Sequence, residues 1–265
     1  MIYTVASDFH ENVEALKTIF ENYNDTQIVL LGDYFDSLNP KSNALEMANL
    51  INDFEDNKFN LKYQPLLVRG NHDDDLLGAA NLDIVKGMQF LQHGGSYTLQ
   101  DLGFYIPNPA PEDVASFLQD MYPKVLDFIQ KHEYVIEHDH IIFVHGGLDL
   151  EQSNPVQDTM SGDMMWLRDS YYFEEPNWQT PKTFIAKRNT TNKTIVSGHT
   201  PVEYLNADKS ANILSLHNPY DAPNINRYVI DGGSNSGSIN GRVNIVQFDE
   251  LGNLINTDFV SDNMF

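Results

Sequence analysis

The chain has 265 residues, of which 41% are hydrophobic, and a formal net charge of −22 from 38 acidic and 16 basic residues. This charge disfavours nonspecific binding to nucleic-acid duplexes or anionic membranes, although bound divalent cations would invert the potential locally. No apolar run approaches the roughly 20 residues that span a bilayer. Because there is also no cysteine and no cleavable signal, we expect a soluble cytoplasmic protein. The length suits a single domain over residues 1–265, and the oligomeric state stays open.

Short apolar runs alternate along the chain with segments whose apolar residues have helical spacing. The predicted strands are Ile2–Val5, Ile28–Leu31, Leu66–Val68, Ile141–Val144, Ile195–Val196 and Tyr228–Ile230, and the predicted helices include Asn12–Tyr23 and Ala44–Phe54. Near residues 109–135, two further helices broken at Pro123 interrupt this rhythm and predict a helical insertion. Such alternation favours a layered α/β fold, in which ligand sites lie beyond the carboxyl ends of strands.

Five polar clusters directly follow the first five of these apolar runs. They are Ser7-Asp8-Phe9-His10, Gly32-Asp33-Tyr34-Phe35-Asp36, Arg69-Gly70-Asn71-His72-Asp73, His145-Gly146-Gly147 and Gly198-His199-Thr200-Pro201. Glycine permits sharp turns at strand ends, so the Asp, Asn and His side chains can converge on one point. A mixed oxygen and imidazole shell suits Mn²⁺, Fe or Zn²⁺, and two such ions can share one carboxylate. The clusters together therefore predict a metal site.

In this order, the five clusters strongly resemble the motifs of calcineurin-like metallophosphoesterases, and specifically those of the phosphoprotein phosphatase branch. The resemblance extends from Asp8 to His199. It implies an α/β fold built as a sandwich of two mixed β-sheets flanked by helices. It also implies hydrolysis of phosphate monoesters, including phosphoserine or phosphothreonine in proteins, with two divalent metal ions. Mn²⁺ is the expected ion, and Fe and Zn²⁺ are the alternatives.

The resemblance implies a role for each matching residue. Six residues would hold the metals: Asp8 and His10 the first ion, Asn71, His145 and His199 the second, and Asp33 both. His72 would give a proton to the leaving group, and Asp36 would orient and charge His72, while a metal-bridging hydroxide attacks phosphorus. Arg69 and Arg168 would bind phosphate oxygens, since a planar guanidinium can contact two of them at once.

Three positions depart from the pattern of this branch. Ser37 stands where typical members have an arginine, so one phosphate-binding group is missing. Glu11 replaces the usual glycine after Asp-x-His, and Asp73 replaces the usual glutamate after Asn-His. Neither of these last two changes removes a ligand. Asp73 and the two aspartates after it are predicted to begin a helix, where the dipole favours negative charge.

Other functions stay open. The first alternative is a nucleotide or dinucleoside-polyphosphate hydrolase of the same branch, with a nucleotide rather than a phosphoprotein as its substrate. The second is a non-catalytic binding module on the same fold, which the missing arginine at Ser37 keeps open. A cyclic-nucleotide phosphodiesterase or a nuclease is disfavoured because those relatives usually carry a second histidine where this chain has Pro201.

The remaining histidines and aromatic residues are assigned no part in the site. His93-Gly94-Gly95 repeats the His-Gly-Gly string but follows the helical segment Met88–Gln92, so His145 is preferred as the ligand. The histidines predicted to be solvated are His132, His138 and His140, and the aromatic residues predicted to pack are Tyr34, Phe35 and Trp166.

Overall fold

The computed structural model describes residues 1–37, 43–174 and 185–262. Ten strands lie within these ranges: β1 (Ile2–Ala6), β2 (Gln27–Leu30), β3 (Leu66–Leu67), β4 (Val135–Glu137), β5 (Ile141–Val144), β6 (Thr194–Ser197), β7 (Leu214–Leu216), β8 (Arg227–Val229), β9 (Arg242–Asp249) and β10 (Leu254–Ser261). They form two five-stranded sheets with the orders β10-β9-β1-β2-β3 and β4-β5-β6-β8-β7. Both sheets are mixed. In the first, β1, β2 and β3 run parallel and β9 pairs antiparallel with β1 and β10. In the second, β5, β6 and β8 run parallel and β4 and β7 pair antiparallel with their neighbours.

Alternating residues of the strands divide the core into layers. In β1 and β2, Val5 and Val29 point into the cluster between the two sheets, whereas Ala6 and Leu30 point toward the helices that cover the first sheet. In the second sheet, Phe143 packs between the sheets and Val144 packs against the outer helices. Successive side chains of a strand face opposite sides, so strands buried on both faces are apolar throughout. The predicted two-sheet sandwich flanked by helices is confirmed.

Helices cover the outer faces of both sheets. Those of the described ranges are α1 (Val13–Asn22), α2 (Ala44–Glu55), α3 (Asn71–Ala80), α4 (Ile84–Phe90), α5 (Ser96–Asp101), α6 (Pro111–Met121), α7 (Pro123–Gln130), α8 (Pro155–Asp158), α9 (Ser161–Trp166), α10 (Asp169–Tyr172) and α11 (Val202–Leu205). Asn12 caps α1 by accepting the backbone N–H of Ala15 over 3.0 Å. None of the helices in these ranges has both the length and the apolar character needed to cross a bilayer.

The two helices of the predicted insertion lie within the helix layer of the first sheet. Val114 and Leu118 of α6, and Phe128 and Ile129 of α7, belong to the same buried cluster as α1 and α2. Pro123 begins α7, as the break in the helical pattern indicated. That this pair is an insertion stays a prediction.

The connection between β8 and β9 carries the chain from the second sheet to the first. Asp231 lies two residues after the end of β8, and the residues after it pass over the carboxyl end of β1 before β9 pairs antiparallel with that strand. Ser234 donates to the carbonyl of Phe9 over 3.2 Å, and the Asn235 amide donates to the carbonyl of His10 over 2.6 Å. This segment therefore closes one side of the region where the parallel strands end.

Candidate active site

A cavity of about 340 Å³ lies beyond the carboxyl ends of the parallel strands of both sheets. The predicted site residues that line it are His10, Asp33, Asp36, Asn71, His72, Arg168 and His199. Asp8 and His145 are buried next to these residues. Strands that run parallel bring their carboxyl ends to one edge, which is why clusters far apart in the sequence meet here.

Several residues of the strand-end turns have a left-handed backbone. The φ angles are 57° at Asp8, 42° at His10, 57° at Asp33, 65° at Asp36 and 68° at His199. This region is sparsely populated by residues other than glycine, and such strain persists only where the surroundings fix it. Backbone bonds supply part of that restraint, since Asp8 N–H donates to the Gly32 carbonyl over 3.1 Å and His10 N–H to the Asp33 carbonyl over 2.9 Å. The turns thus aim their side chains inward at a conformational cost.

Asp33 is the centre of the cluster. Its Oδ2 lies 3.2 Å from His145 Nε2 and 3.9 Å from His10 Nε2, and its Oδ1 accepts the backbone N–H of His72 over 3.0 Å. Burial alone would raise the pKa of Asp33, but the imidazoles of His145 and His72 outweigh it and hold the pKa below its ordinary value. Asp33 is therefore an ionised carboxylate placed between two groups of imidazoles.

Two groups that could each hold a metal ion share Asp33. The first consists of His10, Asp33 and His72, and the second of Asp33, His145 and His199, with the ligand atoms of each group within 4.8 Å of one another. In two of these histidines the Nδ1 atom donates to a backbone carbonyl, at 2.9 Å from Phe35 O for His10 and 2.7 Å from Leu31 O for His145. These bonds leave both Nε2 atoms directed at Asp33, the arrangement that orients histidine ligands in metal sites.

His199 supplies a direct test of whether a cation fits. Its Nε2 is buried and has no hydrogen-bond partner within the described residues, although buried polar atoms are nearly always paired. Burial, followed by the charges of His145 and Arg168, holds the pKa of His199 well below its usual range, so the imidazole is neutral and offers a lone pair. A divalent cation would satisfy this atom and the surrounding carboxylates, so the residues fit the metal site that the sequence predicts.

The other two predicted ligands lie beside these groups. Asn71 Oδ1 is 3.0 Å from His145 Nε2. Both carboxylate oxygens of Asp8 lie 3.0 Å from the backbone N of His199, and burial raises the pKa of Asp8 above its usual value. The structure thus brings all six predicted ligands into one cluster. It also adds His72, predicted as a proton donor, to one of the two potential metal groups.

His72 and Asp36 form the predicted pair. His72 Nδ1 lies 3.1 Å from Asp36 Oδ2, and the carboxylate is completely buried whereas the imidazole faces the cavity. Burial works against the imidazolium, but the carboxylates of Asp33 and Asp36 outweigh it and raise the pKa of His72 to about 9. An imidazolium in this position can donate a proton into the cavity.

The two predicted phosphate-binding arginines have different surroundings. Arg168 lines the cavity, and its Nη1 donates to the carbonyl of His199 over 3.3 Å and to the hydroxyl of Thr200 over 2.8 Å. These two bonds to Nη1 fix the guanidinium group, which also carries Nη2, at the edge of the site. This position is compatible with phosphate binding.

Arg69 lies outside the cavity wall, contrary to the expectation that it faces the phosphate. Its Nη2 donates to the carbonyls that end α7, at 3.3 Å from Ile129, 3.2 Å from Gln130 and 3.4 Å from His132. Its Nη1 contacts Asp74 over 3.4 Å. A helix end leaves carbonyls without intrahelical partners, and Arg69 satisfies them. We therefore assign Arg69 a structural function in binding α7.

Asp73 binds the backbone of two turns that carry residues of the site. Its Oδ2 accepts the backbone N–H of Asp33 over 2.9 Å and that of Gly70 over 3.0 Å, and its Oδ1 accepts that of Tyr34 over 3.1 Å. Burial, aided by the charge of Asp33, raises the pKa of Asp73 to about 6. One carboxylate thus links the turn after β2 to the turn after β3 and begins α3, as the acidic run predicted.

Sequence analysis missed several residues of the cavity wall. His93 lies there, with its ring centroid 5.9 Å from those of both His72 and Trp166. The helical pattern before His93 was interpreted correctly, but a helix end can itself face a site. Asp231 also lines the wall, and the rule that sites follow strands would have found it just beyond the end of β8. Trp166 packs against His93 and His199 yet is still 36% exposed in the cavity.

One of the histidines predicted to be solvated is buried. His132 is 4% exposed, with Nδ1 2.8 Å from the carbonyl of Phe128 and Nε2 3.2 Å from the hydroxyl of Tyr34. The prediction failed because the flanking polar residues suggested a surface turn, whereas α7 ends against the interior. His140 is exposed, and His138 is half-buried against Tyr3.

Residues 1–229 match the sequence model of the family described as calcineurin-like phosphoesterase. The chain belongs to this family. Among solved structures, a metallophosphoesterase from Sphaerobacter thermophilus is similar, with 16% sequence identity, a TM-score of 0.48, and coverage of 99% of this chain and 90% of that chain. No curated protein sequence matches. Family membership supports a metal-dependent phosphoester hydrolase, and the imidazole and carboxylate groups around Asp33 are the candidate site for its divalent ions.

Proposed function

We propose that the protein hydrolyses phosphate monoesters, with two divalent metal ions held on either side of Asp33. The observation that carries this proposal is that two potential metal groups share this one carboxylate at the edge of an open cavity. Asp8, His10 and Asp33 would hold one ion, and Asp33, Asn71, His145 and His199 the other. When bound, such a pair lowers the pKa of water and neutralises the charge of a phosphoryl group between the ions. The donor set suits Mn²⁺, Fe or Zn²⁺.

Arg168 is the residue we assign to the phosphate. Its guanidinium lies on the cavity wall and is anchored through Nη1 to His199 O and Thr200 Oγ1. A bound phosphoryl group would receive charge-assisted hydrogen bonds from a donor that needs no reorganisation. With Ser37 in place of the family arginine and Arg69 directed at α7, Arg168 would bear most of the phosphate binding by side chains.

His72 is the residue we assign to the leaving group. The Nδ1 atom is engaged by Asp36, so the opposite nitrogen is the one available to a substrate oxygen in the cavity. Breaking a phosphate monoester releases an alkoxide unless a proton arrives, and His72 would donate that proton. Asp36 would hold the ring in place and favour its charged form.

A nucleotide or dinucleoside-polyphosphate hydrolase is the second candidate. Trp166 and Tyr204 both line the cavity and are 36% and 64% exposed. Exposed aromatic rings beside a phosphate site offer surfaces on which a nucleobase could stack. Phosphoserine or phosphothreonine in a protein would not need such surfaces, so the two candidates differ in what these rings contact.

Reconstitution with metal tests the proposal. The metal-stripped protein is assayed with added Mn²⁺ on p-nitrophenyl phosphate, its bis-ester, a phosphothreonine peptide and a diadenosine polyphosphate. Metal-dependent turnover of the monoester and the peptide would support the phosphatase, and turnover confined to the dinucleotide would favour the second candidate. Two bound metals without any turnover would indicate a binding module. Absence of metal binding would refute the proposal.

A further inference from the structure

The carboxylate of Asp36 is held by a residue that the proposed chemistry has not used. Its Oδ2 lies 3.1 Å from His72 Nδ1, and its Oδ1 lies 2.9 Å from the hydroxyl of Thr98. The backbone N–H of Asp36 donates to the same hydroxyl oxygen over 3.2 Å. Thr98 therefore contacts both the main chain and the side chain of the residue that pairs with His72.

Asp36 needs such a restraint. Its φ angle of 65° is uncommon for a residue with a side chain, and such a conformation persists where its surroundings fix it. The carboxylate also rotates about two side-chain bonds, so the direction of Oδ2 depends on what Oδ1 contacts. With Oδ1 fixed by Thr98, the remaining oxygen points at His72.

Glu11 holds Thr98 in turn. Its Oε1 lies 2.9 Å from the Thr98 hydroxyl, and its Oε2 accepts the backbone N–H of Asn43 over 2.9 Å. Glu11, Thr98 and Asp36 are all completely buried. In such surroundings hydrogen bonds are strong and a lost partner is costly, so the three side chains behave as one unit.

The His93-Gly94-Gly95 string brings Thr98 to this position. It lies in a wide helical turn, Leu91–Gly95, that joins α4 to α5, and Thr98 belongs to α5. Gly94 has a φ of 118°, and a Cβ atom there would lie 3.0 Å from the carbonyl oxygen of Asp36. Glycine thus permits the turn to approach the Asp36 backbone closely. The string that resembled a second metal motif serves this contact.

We propose that Thr98 and Glu11 are positioning residues that align the Asp36–His72 pair for protonation of the leaving group. Thr98 shares its one hydroxyl proton between Asp36 Oδ1 and Glu11 Oε1, so Glu11 holds Thr98 where it contacts Asp36. Asp36 in turn orients the imidazole. The inference rests on the proposed phosphomonoesterase function and adds two residues to it.

Leaving-group dependence separates positioning from a general structural role. An alkyl phosphate needs a proton on its leaving oxygen, whereas p-nitrophenyl phosphate has a good leaving group and needs little help. Thr98→Val has nearly the same shape and removes the hydroxyl, and Thr98→Ser keeps it. Thr194→Val makes the same change in an equally buried threonine, whose hydroxyl donates to Gly252 O over 3.0 Å, as the matched control.

The expected result is a selective loss. Thr98→Val should lower kcat on an alkyl phosphate by about 10- to 100-fold, which is part of the 10²–10⁴-fold that a general acid contributes. Its kcat on p-nitrophenyl phosphate should change by less than about threefold, as should both rates of Thr98→Ser and Thr194→Val. Glu11→Gln, which keeps an oxygen acceptor, should fall between Thr98→Ser and Thr98→Val. Metal content should equal that of the wild type in every variant.

A second readout does not require turnover. Long-range ¹H–¹⁵N spectra of the metal-free protein report the ring nitrogens of His72, assigned by their absence in His72→Gln. Thr98→Val should shift these signals, and Thr194→Val should leave them unchanged.

The outcomes are distinguishable. Equal losses by Thr98→Val on both substrates, or an unchanged His72 spectrum, would overturn the positioning role while the phosphatase stands. A wild-type protein that binds metal but hydrolyses neither substrate would refute the proposed function, and the inference with it.

Discussion

The two sheets contribute to the site through turns that are stabilised in different ways. On the side of the first sheet, buried carboxylates brace the turns: Asp73 links the backbones of Asp33 and Gly70, and Glu11 reaches Asp36 through Thr98. On the side of the second sheet, close backbone contacts do this work. Gly146 donates to the Met164 carbonyl over 2.7 Å, and a Cβ atom on Gly146 would lie 2.8 Å from the carbonyl of Met165.

This difference follows the chemistry assigned to each side. The first sheet carries His72, whose role requires a fixed ring and a fixed proton, and buried hydrogen-bond networks supply that rigidity. The second sheet carries His199 and Arg168, and a Cβ atom on the intervening Gly198 would clash with Asp8 of the first sheet. The absence of a side chain on Gly198 thus allows the two sheets to approach each other at the site. Side-chain changes in the carboxylate network should therefore perturb the first half, while both halves depend on glycines at their strand ends, since a Cβ atom on Gly32 or Gly70 would also clash.

Asp33→Asn should have the largest effect on metal binding because both potential metal groups include Asp33. Loss of one carboxylate charge weakens both metal groups, and we expect affinity for both ions to fall by more than about 100-fold, since even outer partners of metal ligands contribute 10–100-fold. Metal content after dialysis, measured by atomic emission together with Mn²⁺-dependent turnover, checks this. Asp139→Asn, which removes the same charge at an exposed position away from the cavity, serves as the control. Two metals retained by Asp33→Asn would contradict the shared position.

His72→Ala should remove proton donation to the leaving group while leaving metal binding in place. The rate on phosphothreonine peptide should fall about 10²–10⁴-fold, the usual contribution of a general acid. His93→Ala is the matched control, since this imidazole faces the same cavity but its Nδ1 lies 3.7 Å from Asp75 Oδ2, beyond the hydrogen-bond distance of the His72–Asp36 pair. Unchanged turnover in His72→Ala would remove its assigned role. Loss of a metal would instead support ligation by His72, as its place in one metal group allows.

The convergence of the strand-end clusters could be predicted from the sequence, and the contacts that support them could not. Asp33, His145 and His199 each follow a buried strand, and the local rule that sites lie at strand ends places them together. Thr98 lies 62 residues from Asp36, and the contact depends on a close approach at Gly94 that no local pattern marks. The contacts of Arg69 are hidden from local patterns for the same reason, because its partners at the end of α7 are 60 or more residues away.

Arg168→Met and Arg69→Met should separate phosphate binding from stability. Arg168→Met should lower kcat/KM by about 10- to 100-fold, in line with a lost charge-assisted hydrogen bond, with little change in the free energy of unfolding. Arg69→Met should lower the free energy of unfolding by about 3 kcal/mol, because each buried carbonyl left unpaired costs roughly 1–3 kcal/mol. Its kcat/KM at low temperature should stay near that of the wild type. Urea unfolding and steady-state kinetics decide, and the reverse pattern would return Arg69 to the phosphate site.

His132→Gln should have a smaller effect, a pH-dependent change in the free energy of unfolding. Burial, opposed by the hydrogen bond to Phe128 O, lowers the pKa of His132 to about 3, whereas the unfolded chain titrates near 6.5. Below pH 6.5 the unfolded state binds the extra proton, so this histidine makes the wild type lose stability as the pH falls, by up to about 1.4 kcal/mol per pH unit.

His132→Gln cannot bind that proton. The variant should be less stable than the wild type at pH 8, where its packing and the contact with the Tyr34 hydroxyl are impaired, and the gap should close between pH 6.5 and pH 4. Urea unfolding at four pH values between pH 4 and pH 8 measures the gap. If the difference in stability between His132→Gln and the wild type does not vary with pH, His132 is protonated as readily in the folded protein as in the unfolded chain. The assignment of a neutral imidazole next to the Tyr34 hydroxyl would then be wrong.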